Sequence, residues 1–129
     1  MLNDNGVLIY RDESYLIQGA VFEVYNVMGG GFLESVYQEC LAVELEQRKV
    51  PFRSQAEIPV GYKNLCLSSR FRADFICFDR IIVELKAVRC LDPVHRAQVV
   101  NYLKATNLKL GLLVNFCSYP NVTIERLVV

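Results

Sequence analysis

Residues 72–88 read Arg72-Ala73-Asp74-Phe75-Ile76-Cys77-Phe78-Asp79-Arg80-Ile81-Ile82-Val83-Glu84-Leu85-Lys86-Ala87-Val88. Two runs rich in strand formers flank Asp79-Arg80, the pattern of two strands joined by a tight connection. Asp74, Glu84 and Lys86 interrupt these otherwise apolar runs. Side chains alternate along a strand, so Glu84 and Lys86 share one face while Val83, Leu85 and Ala87 share the other. A hairpin about Asp79-Arg80 then brings Asp74 close to Glu84 or Lys86, and two carboxylates and one ammonium converge on one patch of sheet. A carboxylate pair alone repels, which raises at least one pKa. A hard divalent cation, Mg²⁺ or Mn²⁺, removes the conflict, because it takes few carboxylates and completes its shell with water and substrate phosphate. Lys86 can then orient a water or stabilise charge developing on a phosphate. The same residues read equally well as an ion pair of Lys86 with Asp74 or Glu84 on a solvated sheet face.

Upstream, Leu16, Ile17, Ala20, Val21, Val24 and Met28 recur at three- and four-residue spacing, which predicts a helix over 13–28. Gly29-Gly30-Gly31 ends it. A second helix is predicted over about 32–49, with Leu33, Val36, Tyr37, Cys40, Leu41 and Leu45 as its stripe and Pro51 blocking continuation. Strands are predicted over 53–61, 69–78 and 81–88, with a turn at Asn64. Asp92-Pro93 reads as a cap and first turn, opening a helix that runs to about Thr106 and ends at Asn107. Residues 109–116 read as a buried strand, Ser118 to Asn121 as a turn, and 122–128 as a last edge strand, a possible dimer contact. The order α-α-β-β-β-α-β-β predicts one α/β domain over 1–129, with a mixed central sheet flanked by helices.

With 129 residues, 53% hydrophobic and 22% charged, the chain is neither disordered nor too small to fold unaided. It can bury roughly two-thirds of its unfolded surface without a disulfide or metal staple. No apolar run approaches the ~18–20 residues that span a bilayer, and Met1–Asn5 lacks the basic start and apolar stretch of a signal peptide. Five cysteines, an odd number with no CxxC pair, read as reduced, buried thiols rather than a disulfide framework or a zinc site. A cytoplasmic protein without membrane attachment is expected. The net charge is zero, yet residues 1–61 carry four basic residues against nine acids and residues 62–109 nine against four. Indiscriminate nucleic-acid binding is disfavoured, while a local phosphate-attracting surface is allowed; a solvated exterior is the plainer reading.

Two further constellations bear on chemistry. On the helix from 92 to 106, Gln98 and Tyr102 are four apart, and His95 lies three before Gln98 on that side. Amide, phenol and imidazole on one stripe suit contacts to phosphates, bases or an attacking water, though core packing and a surface histidine explain them as well. In Gly31-Phe32-Leu33-Glu34-Ser35-Val36-Tyr37, Glu34 falls in the first turn of its helix. There it either favours the helix dipole or serves as a third acidic ligand, with Tyr37 one turn later in support. Gln55 is a weaker candidate for the same cleft.

With Gly31, Glu34 and Tyr37 matching its name-giving motif, the chain resembles the GxxExxY family. The likeness also carries Gln55, Arg72-Ala73-Asp74, Val83-Glu84-Leu85-Lys86-Ala87, His95, Gln98, Asn101-Tyr102-Leu103-Lys104-Ala105-Thr106 and Gly111-Leu112-Leu113-Val114-Asn115-Phe116. That family in turn resembles the PD-(D/E)XK nuclease superfamily, with its restriction-endonuclease-like α-β-β-β-α-β core. The resemblance implies that Asp74 is the motif Asp, Glu84 and Lys86 the E-x-K, Glu34 the acid of the first core helix, and Gln98 and Tyr102 the Q-xxx-Y. Ala73 stands where the motif has proline. It further implies a Mg²⁺- or Mn²⁺-dependent nuclease on DNA or RNA. The metal would be held by Asp74, Glu84, the Leu85 carbonyl and Glu34, and phosphates met by Arg70, Arg72, Arg89, Arg96 and Lys104. A non-catalytic nucleic-acid-binding or protein-interaction module on the same fold is the alternative.

Overall fold

A computed structural model describes residues 8–129; Met1–Asn5, read above for a leader, lies outside the described residues. Helices α1 (Arg11–Met28) and α2 (Glu34–Gln47) precede strands β1 (Phe52–Tyr62), β2 (Leu65–Cys77) and β3 (Ile81–Lys86). Helix α3 (Pro93–Thr106) then crosses to β4 (Leu110–Asn115), and β5 (Thr123–Val128) follows. The elements come in the predicted order and type. They build a five-stranded sheet in the order β1-β2-β3-β4-β5, parallel between β3 and β4 and antiparallel elsewhere. None of the helices among the described residues is long and apolar enough to cross a membrane.

The sheet is covered on both faces. Ile81, Val83 and Leu85 of β3 pack with Ile17, Val21 and Val24 of α1 and Tyr37, Leu41 and Leu45 of α2. Ile82, on the opposite face, packs with Val99, Tyr102 and Leu103 of α3. Strand β4 repeats the division, and on the α3 side Gly111 lets the helix come close. A Cβ built there would lie 2.5 Å from Val99 Cγ1. Local chemistry sets the element ends. Gly29 closes α1 at φ 71, a left-handed backbone that glycine adopts without a Cβ clash. Asp92 and His95 form a reciprocal capping box at the start of α3. Arg80 N donates to Cys77 O across the β2–β3 turn, whose central residues Phe78 and Asp79 have φ 57 and 53. Two positive φ angles match the right-handed twist of the flanking strands.

Several expectations shift. Leu16 and Leu33, read as stripe residues, are exposed, because the buried stripe of α1 centres on Ile17 and α2 starts only after Leu33. Strand β2 begins at Leu65 rather than 69, since Tyr62 and Leu65 already pair across a two-residue turn. Strand β3 stops at Lys86 rather than 88, because beyond it the Asn115 side chain holds the backbone of Val88, accepting from N at 3.0 Å and donating to O at 2.8 Å. Among the cysteines, Cys77 is buried as expected, but Cys40 and Cys117 are only half-buried. Cys66 and Cys90 are exposed, on the projecting hairpin and on the segment leading into α3.

Candidate active site

Strands β2 and β3 pair from Cys77↔Ile81 to Phe75↔Val83 and then part. Asp74 and Glu84 are the first residues of the gap, and their carboxylates take over from the backbone ladder. Asp74 N donates to Glu84 Oε1 at 2.6 Å, and Leu85 N donates to Asp74 Oδ2 at 2.8 Å. Each acid thus satisfies an amide that the divergence of the strands leaves without a carbonyl. On its other side β2 stays paired with β1 through Ser54↔Phe75 and Ala56↔Ala73. Between them Gln55 has φ 50, and its Nε2 donates to Asp74 Oδ1 at 3.4 Å. From α2, Gln38 Nε2 donates to Asp74 O at 3.2 Å.

The alternation of side chains inverts at this point. Phe75 and Cys77 face α1 and α2, yet Ala73 and Phe71, which strict alternation would put beside them, pack beneath α3. In β1 the same change separates Phe52 from Ala56 and Ile58. Asp74 and the left-handed Gln55 sit at the inversion.

Charge is concentrated here at graded exposure, with Glu84 buried, Asp74 and Lys86 half-buried and Glu34 exposed. Glu84 is 3% exposed; burial, then the neighbouring Asp74 carboxylate, push its pKa up to about 8. Burial raises Asp74 as well, against the lowering pull of the Leu85 amide and Gln55. Glu34, in the first turn of α2, is raised chiefly by burial, with Lys86 acting against it and Asp74 with it. Tyr102 is pushed up to about 12 by burial and then by Glu84 and Asp74, so its hydroxyl keeps its proton at neutral pH. Lys86 lies within electrostatic reach of all three carboxyl groups. Among the described residues it makes no ion pair within 4.0 Å, so the ion-pair reading has no counterpart here. A buried carboxyl and a half-buried one beside it, both raised by burial and close to an amine bonded to neither, are a donor set suited to a hard divalent cation.

A model of the PD-(D/E)XK nuclease superfamily matches residues 11–127. The chain belongs to this superfamily. Its fold is similar to that in the crystal structure of SSO0001, at a TM-score of 0.58 and 13% identity over 89% of this chain and 76% of that one. At that identity the likeness is one of fold. No curated protein matches the chain.

Within this PD-(D/E)XK chain the candidate residues separate into groups. Glu34 and Asp74 line one cleft of about 450 Å³ with Ser35, Gln38, Glu39 and Gln55. Glu84 and Lys86 adjoin Asp74 from β3, while Gln98 and Tyr102 line a neighbouring notch on α3. Among the described residues no three His, Cys, Asp or Glu side chains are close enough to hold a metal ion between them; Glu34 is a neighbour of the acid pair rather than part of a compact triad. His95 is committed to its cap, its Nδ1 accepting from Asp92 N at 3.2 Å. Tyr37 supports Glu34 only indirectly. Its ring stacks on Phe116 with centroids 4.3 Å apart. Its hydroxyl donates to Gly29 O and accepts from Phe32 N, fixing the loop from which α2 starts.

The proposed phosphate-binding cations also differ. Arg96 donates twice to Glu125, at 2.7 Å each, which ties α3 to β5 and engages the guanidinium. Arg72 stands 3.6 Å from Glu57 on the exposed hairpin. Arg70, Arg89 and Lys104 are exposed and make no ion pair among the described residues. Three residues with positions to hold escaped the sequence reading of roles: Gln38, Asn115 and Phe71. A lone amide inside the apolar run 110–116 was the signal for Asn115. Gln38, on a helix 36 residues before its partner, offered none.

Proposed function

We propose that this protein is a metal-dependent phosphodiesterase acting on DNA or RNA. The observation that carries this reading is the pair of carboxyls at the parting of β2 and β3, Glu84 buried and Asp74 half-buried, with Lys86 alongside. Asp74, Glu84, the Leu85 carbonyl and Glu34 would hold Mg²⁺ or Mn²⁺, Glu34 from further off. When bound, the cation supplies charge neutralisation at the phosphate and acidifies water. Lys86 orients the attacking water and stabilises the charge that grows on the phosphate oxygens. Tyr102, protonated at neutral pH, and the Gln98 amide beside it orient the phosphate or the neighbouring nucleotide. Gln55 and Gln38 keep Asp74 aimed. Arg70, Arg72, Arg89 and Lys104 contribute affinity through phosphate contacts without reading sequence.

A non-catalytic binding module on the same fold is the second reading; the zero net charge favours it. One experiment separates them. Single- and double-stranded DNA and RNA are incubated with Mg²⁺ or Mn²⁺ and wild type, Glu84→Ala or Lys86→Ala. Metal-dependent cutting that falls on the order of 10²–10³-fold in either variant bears out the enzyme. Binding without cutting under every condition leaves the module.

A further inference from the structure

We propose that the notch between β2 and α3 takes a single unpaired nucleobase. It is lined by Phe71, Val94, Ala97, Gln98, Asn101 and Tyr102 and measures about 240 Å³, below the ~300–1,000 Å³ of pockets for drug-sized ligands. None of its six lining residues is an acid or a basic residue, although the acid pair is close enough to shift Tyr102. A lining without a cation offers less to a phosphate than to a flat, uncharged ring.

The Phe71 and Tyr102 rings stand 5.1 Å apart, tilted by 41°, so the half-buried Phe71 is braced by a second ring. Base–aromatic stacking is sequence-tolerant, because every base has a π-face. The amides of Gln98 and Asn101 each supply a donor and an acceptor, the combination that meets the hydrogen-bonding edge of a base. Those edges and faces are covered in a duplex, so the notch selects single-stranded or locally opened substrate. The inversion at Asp74 brings Phe71 under α3. A hairpin with uninterrupted alternation would turn Phe71 toward α1 and α2. The inference rests on the nuclease reading for where the phosphate goes, and it adds where the base goes.

The test is equilibrium binding in EDTA, which keeps cleavage out of the measurement. The probes are a short labelled single-stranded oligonucleotide and an abasic strand of the same length. The proteins are wild type, Phe71→Leu and Asn101→Ala; leucine keeps Phe71's packing, and Asn101 is an exposed helix position. Wild type is expected to bind the strand with bases at least about fivefold more tightly than the abasic strand, the lower end of what one stack is worth. Each variant is expected to lose most of that difference and to bind the abasic strand like wild type. Equal binding of the two strands by wild type, or variants with the full preference, overturns the notch. Cutting is scored separately with Mn²⁺. Base-dependent binding without cutting removes the nuclease and keeps the notch. Cutting by a protein indifferent to bases removes the notch and keeps the nuclease.

Discussion

Glu84 is the residue on which stability and chemistry oppose each other. Its native carboxyl holds its proton up to about 8, against 4.5 for an ordinary glutamic acid. Between those values the native state binds more protons than the unfolded one, so stability falls as pH rises through the window. At ~1.4 kcal/mol per pK unit the loss reaches several kcal/mol once Glu84 is ionised without a counter-cation. Glu84→Gln keeps an oxygen for Asp74 N and drops the charge. In EDTA at about pH 9 the variant is expected to melt several degrees above wild type, and at about pH 4 the two should converge. Added Mn²⁺ should raise the melting temperature of wild type and leave the variant unmoved; thermal melts followed by circular dichroism decide it. Gln55 presents the same opposition in its backbone. A left-handed conformation costs a non-glycine residue about 1–2 kcal/mol, and Gln55 adopts it inside a strand, beside Asp74. Gln55→Gly is expected to stabilise the fold by ~1 kcal/mol in urea titrations while lowering cleavage. A destabilised glycine variant would show that the φ of 50 is not strained.

At the scale of elements, two contacts set where β3 and β4 present their side chains. Asn115, fully buried, clamps Val88 and also accepts from Cys117 N at 3.2 Å. The segment that follows Lys86 is therefore held by a side chain after its strand has ended. Asn115→Ala leaves these backbone groups without their partner and is expected to cost about 2–4 kcal/mol in urea unfolding. Gly111 admits α3, and Gly111→Ala forces its Cβ against Val99. About 1–3 kcal/mol of destabilisation should follow. Restoring stability with Val99→Ala in the same chain would identify that contact as the cause; a double variant no better than the single one would argue against it.

Across the whole molecule the charges fall into committed and uncommitted sets. Arg96 joins α3 to β5 through Glu125, and Arg126 reaches from β5 to Ser14 Oγ and Ile9 O, both at 2.8 Å. Among the described residues Arg70, Arg89 and Lys104 hold nothing comparable, and Arg72 meets an exposed glutamate. Measured as log affinity against log salt for a labelled oligonucleotide, replacing Arg70, Arg72, Arg89 or Lys104 by alanine should each reduce the slope by about 0.7–0.9. Arg96→Ala should leave the slope unchanged. A slope that falls for Arg96 and not for the other four would place the phosphate track elsewhere.

Much of this architecture was readable along the chain because its signals are local. Caps, glycines, turn residues and apolar periods act over a few positions, and they predict all eight elements in order. The meeting of Asp74 with Glu84 follows from one short hairpin. The tertiary structure alone decided how the remaining polar groups are used: the inversion at Asp74, the commitment of Arg96 to Glu125, the burial of Tyr37 against Phe116, and the amides of Gln38 and Asn115. Each depends on a partner brought from a distant part of the chain by the packing of three layers. No periodicity within a segment records which neighbour will arrive, so a polar residue's type can be read in advance while its partner cannot.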